Sequence, residues 1–336
     1  MKKHQLRALV LAAGHGNRLR PLTAFIPKPI VPIRGKPVVA HTIEQLAAQG
    51  CEAIALNLFH RGESIREALG DSCSGVPLTY SVEETLLGTL GALGPLRDFL
   101  GQADQILIIN GDSLCYWPLR GLLRRHRRSG ADATMLVAKR IDPEPFGGGV
   151  GVENHRRIVS LRSKDADTEA VSRRVFMGAH VISPDLLERV PEGPSNFVTD
   201  LYEPLLALGG SIAALESSRK WHDLGTPERY RQAVLDWGRR RGWTAPDAQV
   251  ASDARLRGSV VENKVCVESD CRVSGSIILE GARIGPECRV LESVVGPGVR
   301  LPPHTRVERR MVTSVRADAP ASEAASVVGG LVYEPI

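Results

Sequence analysis

The clearest chemical signal in the chain is a glycine-rich stretch close to the N-terminus. Residues 11–23 read Leu-Ala-Ala-Gly-His-Gly-Asn-Arg-Leu-Arg-Pro-Leu-Thr, and the apolar run before them is typical of a buried strand. Glycines and small residues bring backbone N–H groups close together and let a ligand approach the main chain. Because Arg18 and Lys28 add positive charge beside it, this stretch predicts a cradle for a polyanion such as a triphosphate.

An aspartate stands at the end of another apolar run. Asp112 follows Gly111 and the strand-like segment Gln105–Asn110. Ligands of open α/β sheets bind at the carboxyl ends of the strands. Mg²⁺ typically takes one or two carboxylates together with phosphate oxygens and waters. The sequence therefore makes Asp112 a candidate magnesium ligand, with a plain turn-forming aspartate as the alternative.

Two common nucleotide-binding fingerprints do not fit the first stretch. Leu19 stands where a dinucleotide fold needs a third glycine, and the Gly-Lys-Ser/Thr of a Walker A loop is absent. The stretch instead resembles the signature loop of the sugar-1-phosphate nucleotidyltransferases, LAAGxGTRLxPLT followed by PKP, and departs from it at Asn17, where the family usually has threonine. The resemblance implies nucleotide contacts from Leu11, Ala12, Ala13, Gly14, Gly16, Asn17, Arg18 and Lys28.

Two further segments are similar to motifs of the same family. Residues 221–227, Trp-His-Asp-Leu-Gly-Thr-Pro, resemble W-x-D-x-G-T-P, whose aspartate shares the metal in that family. The resemblance thus implies Mg²⁺ held by Asp112 and Asp223. Glu83-Glu84 and Leu87-Gly88-Thr89 resemble the base-reading segment E-x-x-L-G-T-A-G. Glu84, or alternatively Glu83, would accept hydrogen bonds from the base, which favours guanine, and Gly88 would leave room for base or ribose.

The sugar side of the resemblance is weaker. The family's E-K-P appears as Ser163-Lys164-Asp165, and residues 176–184 resemble the T-G-I-H-V-L-S-P form of mannose-1-phosphate guanylyltransferase-like members. By this resemblance, Gly149, Lys164 and Gly178 contact the sugar phosphate. The glutamate that usually contacts a sugar hydroxyl is missing, so the choice of sugar stays open.

These motifs lie on an alternation of strands and helices that favours an α/β fold. The resemblance implies a Rossmann-like, mostly parallel sheet over residues 1–242. We expect strands at 53–57, 78–81, 105–110, 133–138, 175–182 and 211–215, and helices at 37–49, 62–69, 119–129, 201–208 and 227–237. From Pro143 to Lys164 the pattern indicates a hairpin rather than another βαβ unit.

The C-terminal part repeats with a period of 17 residues. Val261, Ile278, Val295 and Val312 form one apolar series. A second series is Val250, Val267, Ile284 and Leu301, and a third is Leu256, Val273, Val290 and Val307. Three short strands per turn would place each series in one inward column. The repeat resembles the hexapeptide-repeat left-handed β-helix. We expect this β-helix at 243–315, a C-terminal tail at 316–336, and a homo-oligomer assembled through the β-helix.

The composition of the chain limits the classes of partner that it can bind. The chain has 336 residues, enough for two domains, and a formal net charge of +5. Its arginine clusters at 124–128 and 239–241 fall towards the ends of expected helices and lack interleaved aromatic residues. We therefore expect no nucleic-acid partner. We also expect no membrane span, because no apolar run approaches the length that one needs. Six cysteines without a CxxC motif fit a reduced, cytoplasmic protein.

The resemblance implies a reaction in which a nucleoside triphosphate and a sugar 1-phosphate give a nucleotide sugar and pyrophosphate. The favoured member is a mannose-1-phosphate guanylyltransferase. The attacking phosphate oxygen is already anionic, so positioning and charge stabilisation would supply the catalysis. Arg18 would neutralise the departing pyrophosphate, Lys28 would brace the α-phosphate, and the two aspartates would hold the metal.

Three alternatives stay open at this point. The enzyme could be a glucose-1-phosphate thymidylyltransferase or uridylyltransferase. It could be a non-catalytic regulatory homologue that binds nucleotide sugars, which the degraded sugar-side motifs allow. It could also be an acyltransferase that uses the β-helix, with His304 as base, although a corner residue is the ordinary interpretation of that histidine.

Overall fold

The computed structural model describes residues 5–162, 171–238, 242–317 and 321–336. The chain forms two compact units, each built from two stretches of sequence. The first unit comprises residues 1–14 and 39–221, and the second comprises residues 15–38 and 222–336. The glycine-rich stretch therefore crosses from one unit to the other after Gly14. The expected domain boundary at residue 242 remains a prediction.

A ten-stranded sheet forms the centre of the first unit. In chain order its strands are β1 (Leu6–Leu11), β2 (Ala53–Leu58), β3 (Ser72–Cys73), β4 (Val76–Val82), β5 (Gln105–Asn110), β6 (Ala133–Ala138), β7 (Val150–Glu153), β8 (Arg157–Ser160), β9 (Val171–Ile182) and β10 (Ile212–Ser217). Their order across the sheet is β7-β8-β10-β6-β9-β5-β1-β2-β4-β3. Two further short strands run over Ser113–Cys115 and Trp221–Asp223.

The parallel part of this sheet lies around β1. Strand β1 pairs in parallel with β2 and β5, β2 with β4, and β10 with β6. The long strand β9 runs antiparallel to both β5 and β6, and β7 and β8 form the predicted hairpin as an antiparallel pair. Parallel strands end at the same edge, so the segments after Leu11, Leu58 and Asn110 meet there.

Helices and short helical turns connect the strands. The helices are Val38–Ala48, Gly62–Leu69, Gly88–Gly91, Arg97–Leu100, Leu119–Ser129 and Glu203–Ala207, the last preceded by a π-helical turn at Phe197–Tyr202. Short 3₁₀ turns lie at Gly94–Leu96, Glu144–Phe146 and Pro184–Arg189. Leu9, Ile108, Met135 and Phe197 belong to the large apolar cluster of this unit. No described helix combines the length and apolar character that a membrane span needs.

The second unit contains the predicted β-helix. One column of parallel strands comprises Trp243–Thr244, Val260–Val261, Ile277–Ile278, Val294–Val295 and Arg310–Ser314. The second column comprises Gln249–Val250, Cys266–Val267, Arg283–Ile284 and Arg300–Leu301. The third column comprises Arg255–Arg257, Arg272–Ser274, Arg289–Leu291 and Arg306–Glu308. Val261, Ile278, Val295 and Val312 face one another in register, which confirms the 17-residue period.

The corners of the β-helix require left-handed backbone. One corner uses Asp270, Glu287 and His304, and the next uses Gly258, Gly275, Glu292 and Arg309, all with positive φ and 17 residues apart. After the coils, Leu331–Pro335 pairs antiparallel with Arg310–Ser314, and Ser326–Val328 pairs with Leu331–Pro335. The C-terminal segment therefore extends the first column.

The rest of the second unit carries the N-terminal segment. Short 3₁₀ turns lie at Asn17–Leu19, Leu22–Ala24 and Lys28–Ile30, and a small hairpin joins Pro32–Ile33 to Lys36–Pro37. The helix Pro227–Asp236 begins at the predicted cap, where Thr226 Oγ1 accepts the Arg229 N–H at 3.3 Å and Pro227 occupies the first turn.

Candidate active site

A buried hydrogen-bond chain holds the segment just after β1. Asn57, at the end of β2, accepts the Ala12 N–H with Oδ1 at 2.8 Å and donates from Nδ2 to Glu83 Oε1 at 2.8 Å. The other carboxylate oxygen of Glu83 accepts the Leu87 N–H at 2.9 Å. Asn57 and Glu83 are 3% and 5% exposed. The start of the predicted nucleotide loop is thus tied to the predicted base-reading segment.

This chain separates the two candidate base-reading glutamates. Both oxygens of Glu83 are already engaged, whereas Glu84 is exposed. Gly88 adopts φ +77°, and a Cβ there would lie 2.5 Å from the Ser195 carbonyl oxygen. The glycine is therefore required by a close main-chain approach inside the first unit. A role for Gly88 or Glu84 at the base stays a prediction.

Gly111 brings β5 close to the end of β1. Its N–H donates to the Leu11 carbonyl at 2.9 Å, and a Cβ on Gly111 would lie 2.8 Å from the same oxygen. Asp112 follows immediately and is half-buried. The aspartate therefore stands at the carboxyl edge of the sheet, as its position after a buried strand predicts.

The continuation of the glycine-rich stretch folds back on itself in the second unit. Gly16 has φ +67°, and its carbonyl accepts the Leu19 N–H at 3.0 Å and the Thr23 hydroxyl at 3.0 Å. A Cβ on Gly16 would lie 2.9 Å from Thr23 Cγ2 and 3.3 Å from Lys28 Cβ. Gly14, Asn17 and Arg18 are exposed. The second glycine is thus required by local packing against Thr23 and Lys28.

Two of the predicted site residues meet in the second unit although 195 positions separate them in the sequence (223 − 28). The Lys28 ammonium lies 3.9 Å from Asp223 Oδ1, and the two side chains are 9% and 15% exposed. Arg229, on the first turns of the helix Pro227–Asp236, donates to Asp223 Oδ2 at 2.8 Å. Two cations thus flank one carboxylate, an arrangement that suits an anionic phosphate ligand.

The motif around Asp223 has a steric explanation. A Cβ on Gly225 would lie 2.7 Å from Asp223 Oδ2, so the glycine leaves the space that the carboxylate occupies. Leu224 between them is fully buried. Thr226 and Pro227 start the helix that carries Arg229. Each constrained position of the motif therefore serves the placement of one carboxylate.

The predicted sugar-side residues are only partly described. Lys164 lies outside the described residues. Gly178 has φ +82° within a register irregularity of β9, where a Cβ would meet the Asn110 side chain at 3.1 Å. Gly149 has φ +71°, and a Cβ there would lie 2.4 Å from the Arg174 carbonyl. Both glycines allow close backbone approaches, and their contact with a sugar phosphate stays a prediction.

A buried aromatic and polar group lies next to Gly178. His180 Nδ1 is 2.8 Å from the Tyr202 hydroxyl, and the imidazole ring packs edge-on against Phe197. Burial lowers the pKa of His180 to about 3, so the ring is neutral at physiological pH. His180 belongs to the core of the first unit.

The donor chemistry at the two aspartates fits a hard cation. Carboxylate oxygens are the protein ligands that Mg²⁺ takes. Asp223 Oδ2 is hydrogen-bonded to Arg229, while Oδ1 has the longer 3.9 Å contact with Lys28. The space left by Gly225 also shows a position shaped around this carboxylate. Metal binding by Asp112 and Asp223 stays a prediction.

Several residues that hold the predicted site segments belong to no sequence motif. Asn57 and Arg229 gave no motif, and Thr23 appeared only as the last letter of the signature. Two signals point to them. One is a polar residue near the end of the apolar strand Ala53–Leu58, and the other is an arginine in the first turn of the helix that begins shortly after Asp223. Arg18 and Asn17 are exposed, and their contacts with a nucleotide stay a prediction.

Comparison with known proteins agrees with this architecture. Residues 7–239 match the family described as nucleotidyl transferase, and residues 244–314 match the one described as GlmU-like, C-terminal hexapeptide. A mannose-1-phosphate guanyltransferase of Schizosaccharomyces pombe is 32% identical over 228 residues, which are 67% of this chain and 62% of that protein. A probable mannose-1-phosphate guanylyltransferase 1 of Oryza sativa is 30% identical over 269 residues, 78% of this chain and 73% of its own length.

A solved structure shows the same fold. The putative glucose-1-phosphate thymidylyltransferase from Bacillus anthracis superposes with a TM-score of 0.60 at 23% identity, covering 70% of this chain and 98% of its own. The match to the fission-yeast relative spans less than two thirds of that protein's length. With the family match covering residues 7–239, the chain belongs to the nucleotidyl transferase family and carries a hexapeptide-repeat β-helix after that domain.

Proposed function

We propose that this protein transfers a nucleotidyl group from a nucleoside triphosphate to a sugar 1-phosphate. The observation that carries the proposal is the pair Lys28 and Asp223, two nearly buried charges 3.9 Å apart, with Arg229 on the same carboxylate. Such a charge group is costly to bury and is typical of a site that handles phosphate. The relatives named as mannose-1-phosphate guanyltransferases support the same class of reaction.

The chemistry asks for charge placement rather than a nucleophilic side chain. An oxygen of the sugar phosphate attacks the α-phosphorus, a new phosphorus–oxygen bond forms, and the bond to the β-phosphate oxygen breaks. Pyrophosphate leaves with the electron pair of that bond. Because the attacking oxygen is already anionic, no general base is needed. The protein contributes orientation and stabilisation of developing charge.

Each predicted residue has a role in this scheme. The backbone from Leu11 to Asn17 surrounds the phosphates, and Asn57 fixes where that backbone starts by holding the Ala12 N–H at 2.8 Å. Lys28 is held rigidly and would brace the α-phosphate. Arg18, which is exposed, would neutralise the departing pyrophosphate. Lys164 and the glycines at 149 and 178 would receive the sugar phosphate.

We propose Mg²⁺ as the metal, held by Asp112 and Asp223. When bound, it would neutralise phosphate charge and polarise the phosphoryl oxygens. Arg229 orients the Asp223 carboxylate through a 2.8 Å hydrogen bond. Lys28 supplies the second fixed positive charge.

Guanine and mannose are the proposed substrate groups. Glu84 is exposed in the segment that resembles the base-reading motif, and its carboxylate can accept from the two donor groups of guanine. Glu83 would not read the base, because both of its oxygens are engaged with Asn57 and Leu87. The names of the relatives point to the same base and sugar.

A release assay tests this function. The purified protein would be mixed with Mg²⁺, each common nucleoside triphosphate, and several hexose 1-phosphates, and pyrophosphate would be measured. We expect turnover that needs both substrates and the metal, highest with GTP and mannose 1-phosphate. Thermal stabilisation by a nucleotide sugar without any pyrophosphate release would instead indicate a regulatory homologue.

We propose a homo-oligomer formed through the β-helix, supported by its charge pattern. Arg255, Arg272 and Arg289 stack in register on one exposed column. Their guanidinium groups make no hydrogen bond or ion pair with any residue that the structure describes. Asp253, Asp270 and Glu287 form a neighbouring acidic column across a groove. A second copy related by a two-fold axis parallel to the stacking direction would face each column with its complement.

A charge reversal tests this assembly. Changing Arg272 to Glu should weaken the oligomer in light scattering, and the paired change of Asp270 to Arg in the same chain should restore it. The six cysteines form no disulfides, and this supports the proposal that the protein works in the reducing cytoplasm.

A further inference from the structure

One position of the β-helix carries a residue that the repeat does not explain. This position, two residues after the start of the paired segment in the first column, is held by Ala245, Glu262, Leu279, Gly296 and Thr313 in successive coils, and it is buried in every coil. Small or apolar residues fit such a column, whereas a carboxylate does not. Glu262 is only 1% exposed. A buried glutamate at this position needs a reason beyond the fold.

The contacts of Glu262 show what it holds. Its Oε2 accepts the Gly35 N–H at 2.7 Å, and the Arg34 backbone makes a further hydrogen bond to the carboxylate. Oε1 is buried and has no hydrogen-bond partner among the described residues. An incompletely satisfied buried carboxylate destabilises the folded state. The residue is therefore retained at a cost to stability.

The two backbone groups belong to the tip of the hairpin Pro32–Pro37. Arg34 and Gly35 both have positive φ, 54° and 83°, as a two-residue type I′ turn requires. The tip is held from other sides as well. A Cβ on Gly35 would lie 3.0 Å from the Trp243 ring, and the Tyr230 hydroxyl donates to the Pro32 carbonyl at 2.8 Å.

The same hairpin is linked to the segments that carry both charged site residues of the second unit. Lys28–Ile30 leads directly into it, and the Val38 N–H closes back on the Val31 carbonyl at 3.0 Å. The Arg34 guanidinium donates to the Val234 and Leu235 carbonyls at the end of the helix Pro227–Asp236. That helix carries Arg229, the partner of Asp223. Movement of the hairpin tip would thus reach both Lys28 and Asp223.

We propose that Glu262 is a positioning residue that anchors the hairpin tip to the β-helix and so fixes the distance between Lys28 and Asp223. This role rests on the proposed function for its effect on turnover. It gives the second coil of the β-helix a direct part in the catalytic arrangement.

The ionisation of Glu262 makes the anchor sensitive to pH. Burial raises the pKa of Glu262 to about 7, and the negative charge of Glu280 on the next coil raises it further, while Arg34 and the two backbone N–H groups oppose this shift. Tyr230 faces the same carboxylate from the helix. The ionised form is the stronger acceptor of the N–H groups. The anchor therefore weakens as pH falls below about 7.

The test compares variants of Glu262, Glu268 and Glu280 with the unmodified protein. Glu262→Ala removes the anchor, Glu262→Gln keeps the shape and one acceptor, and Glu268→Ala removes an exposed β-helix carboxylate that pairs with Arg283 at 2.6 Å. Pyrophosphate release is measured from pH 6 to 8.5. Acetylation of Lys28 by N-hydroxysuccinimidyl acetate, followed by mass spectrometry, reports the packing of this lysine without any need for turnover.

For Glu262→Ala we expect kcat to fall by about tenfold to a hundredfold, because a small misplacement of a reacting group has such an effect. The Lys28 acetylation rate should rise. Glu262→Gln should recover most of kcat and lose the decline below pH 7, and Glu280→Gln should move that decline to lower pH. Glu268→Ala should match the unmodified protein in all measurements.

The outcomes separate this inference from the proposed reaction. Unchanged Lys28 acetylation in a folded Glu262→Ala protein overturns the positioning role, whatever the activity. The same holds if Glu262→Gln keeps the decline of kcat below pH 7. If the unmodified protein releases no pyrophosphate with any substrate pair, the proposed function fails, and faster Lys28 acetylation in Glu262→Ala but not in Glu268→Ala still supports the anchor.

Discussion

The two units organise their functional residues by different physical means. In the first unit, Asn57 and Glu83 form a buried chain in which both carboxylate oxygens of Glu83 are satisfied by N–H donors. In the second unit, Lys28 and Arg229 flank the Asp223 carboxylate and form a charged group with it. The first arrangement fixes the shape of a backbone loop, whereas the second presents charge to a ligand.

This difference predicts what each region does to the reaction. Residues that shape a loop stabilise the bound ground state and the transition state equally. Replacing them should therefore mainly weaken substrate affinity. Fixed charges directed at developing charge act mostly in the transition state, so their loss should appear in kcat. The experiments below test this division, and the largest effect is expected at the carboxylate.

Replacing Asp223 by Asn should give the largest loss. The amide keeps the shape beside Gly225 but removes the negative charge, and kcat should fall by about a hundredfold or more, corresponding to about 3 kcal/mol. Steady-state pyrophosphate release measures this. Asp236→Asn, in the same helix region, serves as the control and should retain most activity. Turnover close to that of the unmodified protein in Asp223→Asn would remove the carboxylate from the mechanism.

Replacing Lys28 by Ala should have a similar but smaller effect. The ammonium is 9% exposed and lies 3.9 Å from Asp223, so its loss leaves the carboxylate with Arg229 alone. We expect kcat to fall by about tenfold to a hundredfold, with the nucleotide dissociation constant from calorimetry changing much less. Lys264→Ala removes an exposed lysine of the same unit as a control. A large loss of nucleotide affinity with normal kcat would assign Lys28 to binding.

Replacing Asn57 by Ala should show the opposite division. The change leaves the Ala12 N–H and Glu83 Oε1 without their partner, which should lower the free energy of unfolding by about 1–3 kcal/mol. The nucleotide KM should rise more than kcat falls. Asn57→Asp keeps the acceptor for Ala12 but places a second carboxylate beside Glu83, so it should not restore stability. A kcat loss as large as that of Asp223→Asn would contradict the comparison.

The sequence predicted elements with strong periodicity better than it predicted the reasons for individual residues. Strands Gln105–Asn110 and Ala133–Ala138, the helix Leu119–Ser129 and the 17-residue repeat were predicted with the bounds or period that the structure has. Each depends on local pattern alone. Glycines were harder, because Gly88 and Gly16 are required by contacts with Ser195 and Thr23 that sequence spacing does not reveal.

Tertiary partners account for the rest. Nothing in the sequence pairs Asn57 with Glu83, or Arg229 with Asp223, since each pair depends on which strands and turns end near one another. The left-handed corners at Asp270, Glu287 and His304 also lacked a glycine signal. Glu262 was not singled out from the sequence, and its partner Gly35 lies 227 positions away.

The smallest predicted effect is on the pH dependence of stability, and its sign differs between the two units. Burial lowers the pKa of His180, in the first unit, from 6.5 to about 3. The unfolded chain therefore binds a proton at His180 more tightly than the native state does. Between about pH 3 and 6.5, the contribution of His180 to stability rises with pH. Burial raises the pKa of Glu262, in the second unit, from 4.5 to about 7. The native state binds that proton more tightly, so stability falls as pH rises from about 4.5 to 7.

Non-titrating variants should therefore change the pH dependence of stability in opposite directions. His180→Gln should flatten the loss of stability below pH 6.5, and Glu262→Gln should flatten the loss between pH 4.5 and 7 and give its largest relative gain near pH 8. Chemical denaturation across this pH range measures both, and hydrogen exchange assigns each change to residues of the first or second unit. If both variants changed the pH dependence in the same direction, at least one of these groups would not titrate as its burial requires.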